Sequence, residues 1–94
     1  MEREINWERL RALTPPAVLR LADGTDVPHE VGTVVYCYYD MRVVTITATA
    51  TYAQPDTSGR LPDGAAWWVD TDGGSFDGSR LCTLGTARAR GWLK

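Results

Sequence analysis

Ninety-four residues, 44% of them hydrophobic and 23% charged, are enough for one small domain with a modest core. That balance excludes wholesale disorder. A net charge of −2 and a pI near 5.2 argue against a strongly basic nucleic-acid binder. The charge is uneven, however: Arg88, Arg90 and Lys94 lie in 85–94 without an acid, whereas Asp63, Asp70, Asp72 and Asp77 lie in 63–77 without a base. Nine of the ten cations are arginine, which points to a GC-rich coding sequence of bacterial or phage type.

Met-Glu-Arg-Glu-Ile-Asn-Trp at the start lacks the basic opening and apolar run of a signal peptide. No apolar stretch reaches the roughly 20 residues of a membrane span. The expectation is a cytoplasmic protein with reduced thiols and no membrane partner. Residues 3–13 then read as a short helix, with Ile5, Leu10 and Leu13 near one face and Trp7 at its flank. Pro15 and Pro16 stop it. A helix this short is marginal alone and must dock on the rest of the chain.

Residues 17–21 read as a first strand, and Asp23-Gly24 as a tight turn. Residues 26–30 return as an edge strand, because Pro28 has no amide to donate. His29, the single histidine, is expected to be a surface polar group. Residues 33–39 are the most β-prone run, with Val34, Tyr36 and Tyr38 on one face and Val35, Cys37 and Tyr39 on the other. Two bulky faces predict cover on both sides. From Arg42 to Ala53 the chain alternates: Val44, Ile46, Ala48, Ala50 and Tyr52 against Thr45, Thr47, Thr49 and Thr51. The threonine row suits a solvated face.

Residues 54–64 carry two prolines and two glycines and read as a long loop with Arg60 inside it. Residues 65–71 form another strand, Asp72-Gly73-Gly74 a turn, Ser79 to Leu84 a last strand, and 85–94 a basic tail. The fold class is therefore mainly β: a small antiparallel barrel or curled sheet of five to six strands behind a short N-terminal helix, in one domain. The strand order looks like a small SH3-like barrel, by analogy of architecture.

Catalysis is not expected. The sequence has no nucleophile elbow, phosphate loop or zinc-protease motif, and nothing calls for a cofactor. Asp70, Asp72 and Asp77 on a glycine-rich turn could gather calcium, a hard cation that takes oxygen ligands. The segment resembles an EF-hand loop only in part, since Ser75 stands where glycine is needed and the closing glutamate is missing. A hairpin turn with solubilising aspartates is the preferred reading. Cys37 and Cys82 are expected as buried core thiols, with a disulfide possible if their strands are neighbours.

The aromatics carry the functional expectation. Four tryptophans are many for this length, and Trp is enriched at binding hot spots. Adjacent Trp67 and Trp68 on a regular strand must face opposite ways, so one fills the core and the other either packs under the N-terminal helix or tail or is displayed to a partner. Tyr36 and Tyr38 raise the same choice. Trp92, among the basic residues of the tail, could stack on a base or pack back on the sheet. The expected function is a non-catalytic protein-binding module, such as a small phage or bacterial accessory factor, using Trp67, Trp68, Tyr36, Tyr38, Arg60 and Trp92. Self-association belongs to the same reading. The alternatives are a small barrel for single-stranded nucleic acid and a small structural subunit of a virion.

Overall fold

The computed structural model describes residues 6–56 and 64–94. Arg60 lies outside the described residues. Within them, helix α1 (Trp7–Ala12) starts where the Asn6 side chain accepts the Arg9 amide at 3.0 Å. It ends as Leu13 turns extended ahead of the two prolines. Strands β1 (Val18–Arg20) and β2 (Asp26–Pro28) form an antiparallel hairpin, with Pro28 in β2 as expected of a short edge strand. Arg20 and Asp26, opposite each other at its end, form a two-point ion pair.

The centre is a five-stranded antiparallel sheet in the order β8-β7-β4-β3-β9. Its members are β3 (Val34–Cys37), β4 (Arg42–Thr49), β7 (Val69–Thr71), β8 (Gly74–Phe76) and β9 (Leu81–Cys82). A separate two-stranded sheet pairs β5 (Gln54–Pro55) with β6 (Ala65–Ala66). The fold is thus mainly β, a small curled sheet with a short N-terminal helix. It is cut into nine short strands among the described residues, where the sequence suggests five or six longer ones. No helix among those residues is long and apolar enough to cross a membrane.

Two departures from the expected strands stand out. In β4 the register against β7 slips between Ile46 and Ala48, leaving Thr47 as an extra residue. Beyond this bulge Thr49 pairs with Val69, which is buried. The bulge therefore ends the strict alternation of apolar and threonine faces, and Tyr52 is exposed rather than on the core side. The second break separates β6 from β7 at Trp67-Trp68, so the run 65–71 is not one strand.

The main core lies on one side of the sheet and includes Leu19, Leu21, Val35, Cys37, Val44, Ile46, Val69, Phe76 and Leu81. A second cluster joins Leu10 of α1 to Ala53 and Ala65, which is where the marginal helix docks. Trp67 packs against both clusters and ties them together.

The third cluster corrects the expected tail. Residues 84–89 are helix α2 (Leu84–Ala89), capped by the Thr83 hydroxyl, which accepts the Thr86 amide at 3.2 Å. The helix closes on Gly91, whose φ of 77° only glycine adopts cheaply. The Gly91 amide donates to Arg88 and the Trp92 amide to Ala87, a Schellman ending. This ending turns the chain back, so Trp92 and Leu93 pack against Tyr36, Cys82 and Ala87 on the other side of β3. The strand is thus covered on both faces from Val35 to Cys37, while Val34 stays exposed.

Candidate functional site

Where β3 runs into its turn, rings and guanidinium groups meet in one continuous series. Arg80, which ends the 3-10 turn Gly78–Arg80, has its guanidinium carbon 5.6 Å from the Trp68 ring centre and 5.3 Å from that of Tyr39. Tyr39 stands edge-on to Tyr38 at 5.0 Å. Tyr38 stacks on Trp92 at 6.0 Å, and the Arg90 guanidinium lies over Trp92 at 5.3 Å. Trp92 also stacks on Tyr36 at 6.1 Å with the planes only 16° apart. These separations are those of favourable ring–ring and cation–π contacts.

The series is built from distant parts of the chain. The 3-10 turn that presents Arg80 is held by Asp77, whose carboxylate accepts the Ser79 amide at 3.0 Å and the Ser79 hydroxyl. The Tyr38 hydroxyl donates to the Ser79 carbonyl, fixing the strand end to the same turn. The Tyr36 hydroxyl lies within donating reach of the Trp92 carbonyl and the Met41 sulfur. Met41 itself takes the left-handed conformation, φ 56°, in the β3–β4 turn.

The structure therefore brings four of the candidate residues together: Trp68, Tyr36, Tyr38 and Trp92. Their roles differ from the expectation. Tyr36 is 1% exposed, closed off by Trp92, and supports the series from beneath. Trp68, Tyr38 and Trp92 are half-buried. Tyr39 and Met41 are the most open large hydrophobic side chains here, at 60% and 52% exposure. Trp67 takes no part; it is half-buried between two cores, with its ring edge-on to His29.

Sequence reasoning missed Tyr39, Met41 and Arg80 as site members, and saw Arg90 only as one cation of the basic tail around Trp92. The alternation of β3 placed Tyr39 opposite Tyr38, but the strand stops at Cys37 and the turn brings the two rings together. Arg80 had no local signal. Thr83 and Gly91, spaced as a helix cap and a helix end, were the signals that could have located α2.

His29 is buried, not on the surface. Its Nδ1 lies 3.0 Å from the Pro16 carbonyl. The two cysteines are free and buried. Cys82 pairs with Tyr36 across β3–β9 and shares its cluster, whereas Cys37 faces the main core. Lying on opposite faces of the sheet, they cannot form a disulfide. Burial pushes the Cys82 thiol up, and the nearby Asp23 carboxylate adds to the shift. That leaves it poor in thiolate.

The three turn aspartates each serve a separate local bond. Asp70 accepts the Ser75 hydroxyl at 2.6 Å, Asp72 accepts the Thr45 amide at 2.9 Å, and Asp77 caps the 3-10 turn. Among the described residues no three His, Cys, Asp or Glu side chains are grouped to hold a metal ion.

Beside Trp92 opens a pocket of about 260 Å³, lined by Ala22, Asp23, Tyr38, Cys82, Thr86, Arg90 and Trp92. Asp23 reaches into the α2 cap. Its Oδ2 accepts the Thr83 amide at 3.1 Å, the Thr83 hydroxyl at 2.9 Å and the Thr86 hydroxyl at 2.7 Å, while Oδ1 accepts the Thr25 amide at 3.0 Å. Burial pushes this carboxyl up, but the four hydrogen bonds outweigh it and hold it well below the usual carboxylate range.

No protein-family model, no curated protein and no solved structure matches the chain. The functional reading therefore stands on the geometry above.

Proposed function

We propose that the chain is a non-catalytic protein-binding module whose docking surface is the series Trp68–Arg80–Tyr39–Tyr38–Trp92–Arg90, with Met41 at its margin. The observation that carries this reading is that series, held together by ring and guanidinium contacts. Its residue types (Trp, Tyr, Met and Arg) are those enriched in the cores of protein interfaces. Rings already held by their neighbours also lose little conformational freedom on binding.

Charge narrows the partner. Among the described residues no carboxylate forms an ion pair with Arg80 or Arg90. Guanidinium groups backed by rings and without an acid of their own favour a partner segment carrying Asp or Glu next to an apolar or aromatic residue. The cost of burying an unpaired charge makes an acid on the partner a requirement opposite Arg80.

Panning a random peptide library against the purified protein tests this. Enriched peptides should be acidic and aromatic, and their binding should fall about tenfold or more in Tyr39→Ala and Arg80→Ala, the cost of one good contact. Enrichment that is equal on wild type and on the double variant sinks the reading. Binding of a single-stranded oligonucleotide at low salt, with a steep loss as salt rises, would replace it with nucleic-acid binding.

A further inference from the structure

We propose that the pocket between α2, the β1–β2 turn and the end of β3 binds a small zwitterion, an α-amino acid with a compact side chain. Opposite charges line this one pocket, Asp23 on the turn and Arg90 at the end of α2, yet they form no ion pair with each other. A separated carboxylate and guanidinium offer complementary ends to a ligand that carries both an ammonium and a carboxylate. Neither charge alone would favour a purely anionic or purely cationic ligand, because the other would repel it.

Each end has capacity to spare. Asp23 Oδ2 is occupied by Thr83 and Thr86, but among the described residues Oδ1 accepts the Thr25 amide alone and keeps a lone pair for an ammonium proton. The Arg90 guanidinium carbon lies 5.3 Å from the Trp92 ring centre, and without an ion-pair partner among the described residues the group keeps N–H donors for a carboxylate. Tyr38 and Trp92 supply an aromatic wall, and Ala22 and Cys82 a small apolar one. These surfaces suit a few carbon atoms and no further charge.

Size sets the limit. The cavity volume is about 260 Å³. Sites for drug-sized ligands run to about 300–1,000 Å³. The space therefore takes an amino acid such as alanine or serine together with accompanying water.

Nitrogen-15 NMR titration with L-alanine, and with its two halves ethylamine and propionate, tests the assignment on the wild-type protein. L-alanine at millimolar concentration should shift the Trp92 indole and Thr86 amide resonances saturably. Ethylamine and propionate should fail to saturate them over the same range. Arg90→Ala should weaken L-alanine by about tenfold, one charge-assisted contact. Two results overturn the proposal: silence of both resonances toward L-alanine, or binding of either half as tight as the whole. The second comparison needs no variant and so does not depend on Arg90→Ala folding. The outcome is also separate from the docking reading, whose test uses Tyr39 and Arg80, neither of which lines the pocket.

Discussion

The indole of Trp92 lies almost parallel to the ring of Tyr36, with centroids 6.1 Å apart, and its carbonyl lies 3.4 Å from the Tyr36 hydroxyl, although 56 residues separate the two in sequence. This contact seals the outer face of β3 and sets the level on which Tyr38, Arg90 and the pocket are built. It depends on the sharp turn at Gly91, because a helix that continued would carry Trp92 away from the sheet.

Replacing Gly91 by Ala therefore strikes the site through the backbone. Open space surrounds the position, so the cost is conformational only, about 1 kcal/mol for a side chain held at positive φ. Urea unfolding should show that loss. Near-ultraviolet circular dichroism should show a weakened aromatic signal as Trp92 loosens on Tyr36. An unchanged spectrum and an unchanged midpoint would refute the role given to the turn.

Gly78 presents the opposite case, in which space and not φ decides. A Cβ built there would sit 2.0 Å from the Arg20 carbonyl oxygen. That oxygen belongs to β1, so the strand and the 3-10 turn would have to separate. Gly78→Ala should cost about 3 kcal/mol, the upper range for forcing atoms into a packed site. It should also displace Arg80 from between Tyr39 and Trp68. Stability within about 0.5 kcal/mol of wild type, the usual span of a neutral surface change, would contradict the close approach.

Asp23 links stability to pH. Its folded carboxyl ionises well below an unfolded aspartate, as burial is outweighed by the Thr83, Thr86 and Thr25 donors. A depressed carboxyl stabilises fully above the unfolded value, near 3.9, and that contribution is lost as pH falls below it toward the folded value. Asp23→Asn should cost about 2 kcal/mol at neutral pH, through weaker acceptance of the capping bonds. Its stability should then fall less steeply than that of wild type below about pH 4. Parallel curves for the two proteins over this range would show that Asp23 does not carry the linkage.

Much of the fold is legible in the residues. Val35, Cys37, Val44 and Ile46 alternate as buried positions must, and all four lie in the main core. Pro28 marks a short edge strand, and Asp23-Gly24 and Asp72-Gly73 mark turns that exist. The bulge at Thr47 and the break at Trp67-Trp68 left no such trace. Both arise where β4 and the 65–71 run must follow several neighbours at once, and local preference cannot report that competition.

For the site, the sequence identified the class of side chain and misjudged its arrangement. An excess of rings is a matter of composition, and Trp68, Tyr36, Tyr38 and Trp92 do lie together in the fold. Which rings meet depends on α2 folding back and on the 3-10 turn bringing Arg80 between Tyr39 and Trp68. Strand patterning and turn positions were settled by the chain itself, because they follow from neighbours a few residues apart. The ring–guanidinium series and the Asp23–Arg90 pocket were decided only by tertiary structure, because they join groups far apart in the chain whose contact no local periodicity records.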